Sequence, residues 1–189
     1  MHRVIKGTDP NFGVPIEIFS KLAKLGSVPF LLFLLALLLP LQALGEAPDG
    51  YPFLPYDEGL RLAAEQDKPV FLYFGRYGCG WCDKTNQESF SDADLRDIYT
   101  EHYVLVYVDA ESGRRMTLPD GERITEMELG ARMNVFATPV FGFLRPDGRR
   151  IFTVPGFKTA EEFRDYHRYI SGGHHEHQNL FEFLAEQSQ

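Results

Sequence analysis

Residues 70–88 read VFLYFGRYGCGWCDKTNQE. Val70-Phe71-Leu72-Tyr73-Phe74 is rich in aromatic and β-branched side chains, the signature of a buried strand. Gly75 to Gly78 make a loop, and a helix is predicted over residues 80–89. Cys79-Gly80-Trp81-Cys82 therefore places two thiols at the start of a helix that follows a buried strand.

The same alternation of strand and helix extends outward from this stretch. Upstream, residues 57–66 (DEGLRLAAEQ) carry Leu60, Ala63 and Ala64 at helical spacing, and Asp67-Lys68-Pro69 is a turn. Downstream, Ser91 is the expected cap of a helix bearing Leu95 and Ile98, and residues 103–108 (YVLVYV) form a second buried strand. Residues 109–122 contain Ser112-Gly113, Pro119 and Asp120-Gly121 and read as a long polar loop. Thr125 and Glu128 form a capping box that opens a helix with Leu129 and Met133 one turn apart. A third strand spans residues 139–144, and Pro146-Asp147-Gly148 turns into a fourth over residues 149–154. A second capping box, Thr159 with Glu162, opens a helix whose Phe163, Tyr166, His167 and Ile170 share one face. Strands joined through a helix run parallel and strands joined by a tight turn run antiparallel, so the class is α/β with a mixed sheet.

Before this domain the chain is of another kind. Residues 28–44 read VPFLLFLLALLLPLQAL, with Lys21 and Lys24 upstream and Ala43 and Gly45 at the exit. A basic flank, a short apolar run and small residues at its end describe a secretory signal peptide. The competing reading is an uncleaved anchor, although a spanning helix needs about 20 apolar residues and Pro29, Pro40 and Gln42 interrupt this run. The expected organisation is an extension and signal over residues 1–45, a Pro- and Gly-rich linker over 46–55, a domain over 56–172 and a polar tail over 173–189. An exported domain places the protein in the periplasm, with membrane attachment only if the apolar run stays uncleaved.

A net charge of −8 and a pI near 5.2 argue against a nucleic-acid partner, which calls for a basic surface. With 24% charged and 44% hydrophobic residues the chain has ordinary globular composition, and two cysteines exclude a disulfide-rich scaffold.

Two thiols at this spacing can close one small ring. A helix N-terminus offers unpaired N–H groups and partial positive charge, which stabilise a thiolate on Cys79. Cys79, exposed at the loop–helix junction, is then the attacking nucleophile, and Cys82, one turn inside, resolves the mixed disulfide. Gly78 and Gly80 leave room for a substrate chain, and Trp81 forms an apolar lip. Two other readings stand beside this one. The pair could be half of a zinc site, although no second CxxC exists and His174, His175 and His177 lie more than 90 residues away in what reads as a solvated tail. It could also be a purely structural disulfide, although so small a ring constrains little of the unfolded chain.

The strand VFLYF, the CGWC that opens a helix, the segment ELGARMNVFATPVFGFL and the turn PDGRRIFTVPGF together resemble a thioredoxin-fold protein. Within that superfamily the chain is most similar to exported thioredoxin-related proteins of the SoxW type. The resemblance implies a three-layer fold with a mixed central sheet and helices on both faces. It also implies catalytic and redox-disulfide roles for Cys79 and Cys82, with Gly80, Trp81, Thr138 and Pro139 at the substrate. Pro139 would be a cis-proline facing the CxxC, and Thr138 would offer its backbone to a bound chain. Two departures from thioredoxin stand out. Tyr73 occupies the position six before Cys79 where thioredoxins usually place a buried Asp, and Asp83-Lys84 puts a carboxylate in the first turn after the thiols.

The function expected on these grounds is exported thiol–disulfide exchange on protein substrates, with no cofactor and no metal. A membrane-embedded thiol donor would supply electrons. A dedicated reductant of apocytochrome c would use the same residues, and a thioredoxin-fold metallochaperone ranks below both because its relatives pair a CxxxC with a distant His.

Overall fold

The computed structural model describes residues 47–187, so the apolar run over 28–44 and its basic flank lie outside the described residues. Strand β1 (Val70–Gly75) is buried along its whole length. Its side chains alternate between two cores: Phe71 and Tyr73 enter one, and Val70, Leu72 and Phe74 the other. A strand covered on both faces has no polar side, which is why its sequence shows no alternation.

Strand β1 is central in the order β2-β1-β5-β6. It pairs in parallel with β2 (Val104–Asp109), Val70 opposite Val104, and antiparallel with β5 (Val140–Leu144), Phe71 opposite Phe143. Strand β6 (Arg150–Pro155) closes the other edge antiparallel to β5. On the Phe71 face lie α2 (Gly80–Glu88), α3 (Ala93–His102) and α5 (Ala160–Ser171). Helices α1 (Tyr56–Gln66) and α4 (Glu126–Arg132) cover the other face. These are the three layers, with a mixed sheet in the middle.

The Phe71 face is an aromatic core. Phe71 stacks on Phe141 at 5.9 Å and takes the edge of Tyr99 at 4.9 Å, while Phe163 meets Phe141 at 4.9 Å. Offset and edge-on pairs of this kind add about 0.5–1.5 kcal/mol each beyond the area they bury. Both capping boxes form, Thr125 with Glu128 and Thr159 with Glu162, so the helices that carry Leu129 and Phe163 start where the sequence places them.

Four local expectations are corrected. The cap of α3 is Asp92 rather than Ser91: the Asp92 carboxylate accepts the Leu95 N–H at 2.9 Å. Residues 109–122 are not simply loop, because Arg115–Thr117 (β3) pairs antiparallel with Arg123–Thr125 (β4). Met116 and Ile124, the buried residues of this hairpin, face each other and join the core under α1 and α4. The described part of the linker is tied down rather than free. Leu54 bridges Val106 along the β2 edge, its N–H donating to Leu105 O at 2.9 Å, and Tyr51 and Phe53 pack into the aromatic core. The polar tail also folds, with a 3-10 turn at His174–Glu176 and a helix, α6 (Leu180–Gln187), that buries Leu180 and Phe183. Among the described residues no helix is long and apolar enough to cross a membrane.

Asp92 links two elements, because besides capping α3 it accepts from Arg164 of α5 at 2.6 Å. The Leu95 N–H first, and the Arg164 guanidinium next, hold its carboxyl below the usual carboxylate range. A depressed acid contributes stability that is complete above its unfolded pKa of about 4 and is lost as pH falls through the lower folded value. Asp92→Ala should therefore lower stability by about 1–2 kcal/mol at pH 7, while Asp92→Asn, which keeps the capping oxygen, should lose less. Urea unfolding followed from pH 7 down to pH 3 checks this: the gap between wild type and Asp92→Asn should narrow at the acid end.

Candidate functional site

Strand β1 ends at Gly75, and a short loop delivers the chain to the N-terminus of α2. Gly78 takes φ +67°, a left-handed conformation that suits glycine, and a Cβ there would meet nothing within 4 Å. Cys79 is the N-cap of α2, with extended backbone (φ −87°, ψ 95°). Its Sγ accepts the Cys82 N–H at 3.1 Å, so sulfur fills the place that a Ser or Asp oxygen fills at other helix starts.

Cys79 and Cys82 are joined in a disulfide with their Cα atoms 5.2 Å apart. The expectation that Cys79 is exposed is corrected: it is 3% exposed and Cys82 0%, so solvent reaches only a narrow face of the first cysteine. The two cysteines belong to the aromatic core on the Phe71 face. Around that face Gly80 is open, with nothing within 4 Å of a notional Cβ, and Trp81 is 60% exposed. Lys84 places its ammonium 5.4 Å from the Trp81 ring and 4.8 Å from that of Phe157, a cation held between two aromatic faces.

The other wall comes from the loop between α4 and β5. The Thr138–Pro139 peptide bond is cis. Thr138 Oγ1 donates to Cys79 Sγ at 3.3 Å, and Thr138 O lies 3.5 Å from the same sulfur. A disulfide sulfur has no proton to give that carbonyl, whereas the thiol of the reduced form does. The fold thus brings together five of the six residues singled out from the sequence, Cys79, Gly80, Trp81, Cys82 and Thr138, with Pro139 buried directly behind Thr138. Sequence reasoning assigned Thr138 a backbone role and missed its hydroxyl.

Beneath the disulfide the polar partners are neutral. Asn86 follows Cys82 by one turn of α2, and its side-chain oxygen accepts from the buried Tyr73 hydroxyl at 3.2 Å. Thr85, also buried, donates to Trp81 O at 2.8 Å and ties down the first turn. Among the described residues the buried carboxylate is Glu126, paired with Arg114 on the opposite face of the sheet. The departure at Tyr73 therefore leaves the disulfide on a core without a buried charge. Among the described residues no group of three or more His, Cys, Asp or Glu side chains is arranged to hold a metal ion. The His174 ring instead lies tilted against Phe183, centroids 4.7 Å apart.

Comparison with solved structures finds the same fold. A thioredoxin-fold protein from Helicobacter pylori superposes with a TM-score of 0.55 over 65% of this chain and 80% of its own, at 23% identity. A thioredoxin from Thermus thermophilus gives a TM-score of 0.52 over 68% of this chain and 98% of its own, at 26% identity. Among curated proteins, rat spermatogenesis-associated protein 20 is 32% identical over 98 residues, which cover 48% of this chain. The match spans only 12% of that protein's length. Residues 56–171 match the model of the thioredoxin-like domain. With a CxxC disulfide capping the helix that follows its central strand, the chain belongs to the thioredoxin-like domain family.

Proposed function

We propose that the protein is an exported reductase or exchanger of protein disulfides in which Cys79 attacks and Cys82 resolves. The observation that carries this division of labour is the asymmetry of the pair. Cys79 caps the helix, has the only solvent-accessible surface of the two and is touched by Thr138, whereas Cys82 is sealed in the core.

The reaction starts from the dithiol. The Cys79 thiolate, stabilised by the Cys82 N–H and the Thr138 hydroxyl, attacks one sulfur of a substrate disulfide. The substrate S–S bond breaks, a mixed disulfide forms, and the first substrate sulfur leaves and takes up a proton. Cys82 then loses its proton and attacks Cys79 Sγ. The second substrate thiol departs, and the enzyme is left as the disulfide described above. Two electrons have passed to the substrate, and a thiol donor at the membrane restores the dithiol. Export is supported by the apolar run over residues 28–44, with Lys21 and Lys24 upstream and small residues at its end.

Thiol trapping tests the division of labour. Cys82→Ser should accumulate a mixed disulfide through Cys79, because nothing inside the site remains to expel the substrate. Cys79→Ser should accumulate almost none, and equal trapping by both would reverse the assignment.

The Thr138 hydroxyl generates a separate prediction. A hydrogen bond to a charged group contributes about 1.5–3 kcal/mol, and Thr138→Val removes one that favours the thiolate while keeping the shape of the side chain. The midpoint of iodoacetamide alkylation at Cys79 in the reduced protein should then move up by about one pH unit. An unmoved midpoint would mean that the hydroxyl is idle in the reduced form.

A further inference from the structure

Strand β1 starts after Pro69 and β5 ends before Arg145, so these two residues lie at the end of the sheet remote from Cys79. A cavity of about 490 Å³ opens there, within the size that small organic ligands occupy. Tyr103, Ile151 and Ile170 give it an apolar wall, together with Pro69 and Pro146. Its polar groups are His102 at the end of α3, His167 in α5, His175 in the 3-10 turn, and Arg145. Three of the five histidines among the described residues therefore meet in one place. The lining holds no carboxylate, in a chain with 27 acidic residues against 19 basic ones.

The histidines are left with unmet hydrogen-bonding capacity. The His102 and His167 rings lie 4.8 Å apart, centroid to centroid, and neither is paired with a carboxylate among the described residues. The Tyr103 hydroxyl stands 3.3 Å from His167 Nδ1, which leaves Nε2 for another partner. Burial first, and the charges of His102 and Arg168 next, hold the His167 ring below the usual histidine range, the mark of neighbouring cations without a counter-ion. The His175 side chain is 12% exposed, with Nε2 at 3.3 Å from Glu176. Its Nδ1 is buried and has no hydrogen-bond partner among the described residues, a costly state for a polar atom. Arg145 is already met by Glu176 at 2.8 Å, so the groups free to receive a ligand are the histidines.

We propose that this cavity binds a small organic anion, a free monocarboxylate whose apolar body lies on Tyr103, Ile151 and Ile170 and whose carboxylate is met by protonated His102 and His167 and by His175 Nδ1. The site is separate from the disulfide and does not depend on the reductase reading. An anion between the His102 and His167 rings removes their mutual repulsion and gives the unpaired nitrogen of His175 a partner. The apolar wall gains from a hydrocarbon body and offers nothing to a bare inorganic ion. The other charged groups around the rim are Lys68, which donates to Glu101 O at 2.8 Å, with Arg145, Arg168 and Glu176, the last occupied by Arg145. Binding calls for protonated rings, so it strengthens as pH falls through the histidine range, where a carboxylate of ordinary pKa near about 4 stays ionised.

The test titrates octanoate, octanol and acetate into the full chain and follows the histidine ring resonances by NMR. Octanoate should bind saturably and move the His102, His167 and His175 signals together. It should bind about tenfold tighter or more than octanol, which lacks the charge, and than acetate, which lacks the body. Between pH 8 and pH 6 its affinity should rise about tenfold while that of octanol stays level. His102→Gln/His167→Gln should weaken octanoate by about tenfold or more and leave octanol unchanged. Ser171→Tyr, which adds a bulky ring at the cavity and keeps every histidine, should weaken both. His177→Gln, at an exposed histidine outside the cavity, should bind as wild type does. Absence of saturable octanoate binding, octanol binding as tightly as octanoate, an affinity indifferent to pH, or histidine variants that bind like wild type would each overturn the proposal, and none of these results touches the reductase reading.

Discussion

Strand β1 is the element on which the rest of the structure depends. Its Phe71 and Tyr73 enter one core and its Val70, Leu72 and Phe74 the other, so layers must form on both sides before it can be dry. Pairing with β2 on one side and β5 on the other leaves it no free edge. That placement has a chemical consequence. The chain leaves β1 at the same end of the sheet where β5 begins, since the two strands are antiparallel. Cys79, just past β1, and Thr138, just before β5, are therefore brought together although 59 residues separate them.

The site that results sets a reactive pair on an apolar floor. A thiolate buried among aromatic rings is costly unless donors meet it. At Cys79 those donors are the Cys82 N–H and the Thr138 hydroxyl, supported by the open end of helix α2. Cys82 is sealed in the core, and one turn further along the helix stand the neutral Thr85 and Asn86, the latter accepting from Tyr73. The same fold thus leaves one cysteine accessible and met by donors and the other sealed in the core. Tyr77 and Trp81, on either side of Cys79 in the chain, and Phe136, two residues before Thr138, expose their rings to solvent.

Much of this was legible in the residues. A strand covered on both faces reads as an unbroken apolar run, capping boxes write helix starts in side-chain chemistry, and the CxxC announces its own ring. What escaped reading shares a cause: these segments are ordered by long-range contacts rather than by local preference. Leu54 is held by Leu105 and Tyr107 across the β2 edge, and the hairpin at Met116 and Ile124 is held by a core built elsewhere in the chain. The final helix docks through Leu180 and Phe183 with Leu184 packed beside them, and its eight residues are too short a stretch for periodicity to announce. Asp92 displaced Ser91 as a cap because it also reaches Arg164, a partner 72 residues away.

The sequence by itself determined the α/β class, the mixed sheet, the helix starts at Thr125 and Thr159, and the pair of thiols at a helix N-terminus, because each of these is local and follows from side-chain period or spacing. Only the tertiary structure decided how little of Cys79 meets solvent, that the Thr138 hydroxyl touches its sulfur, and that Tyr77 and Phe136 are exposed. Phe136 shows why. In the sequence it is one more apolar residue before a strand, alike in kind to Phe141, which is fully buried. Burial depends on how many layers cover a position, and Phe136 is left in solvent while its neighbour Val135 packs on the core, neither of which a short stretch of sequence encodes.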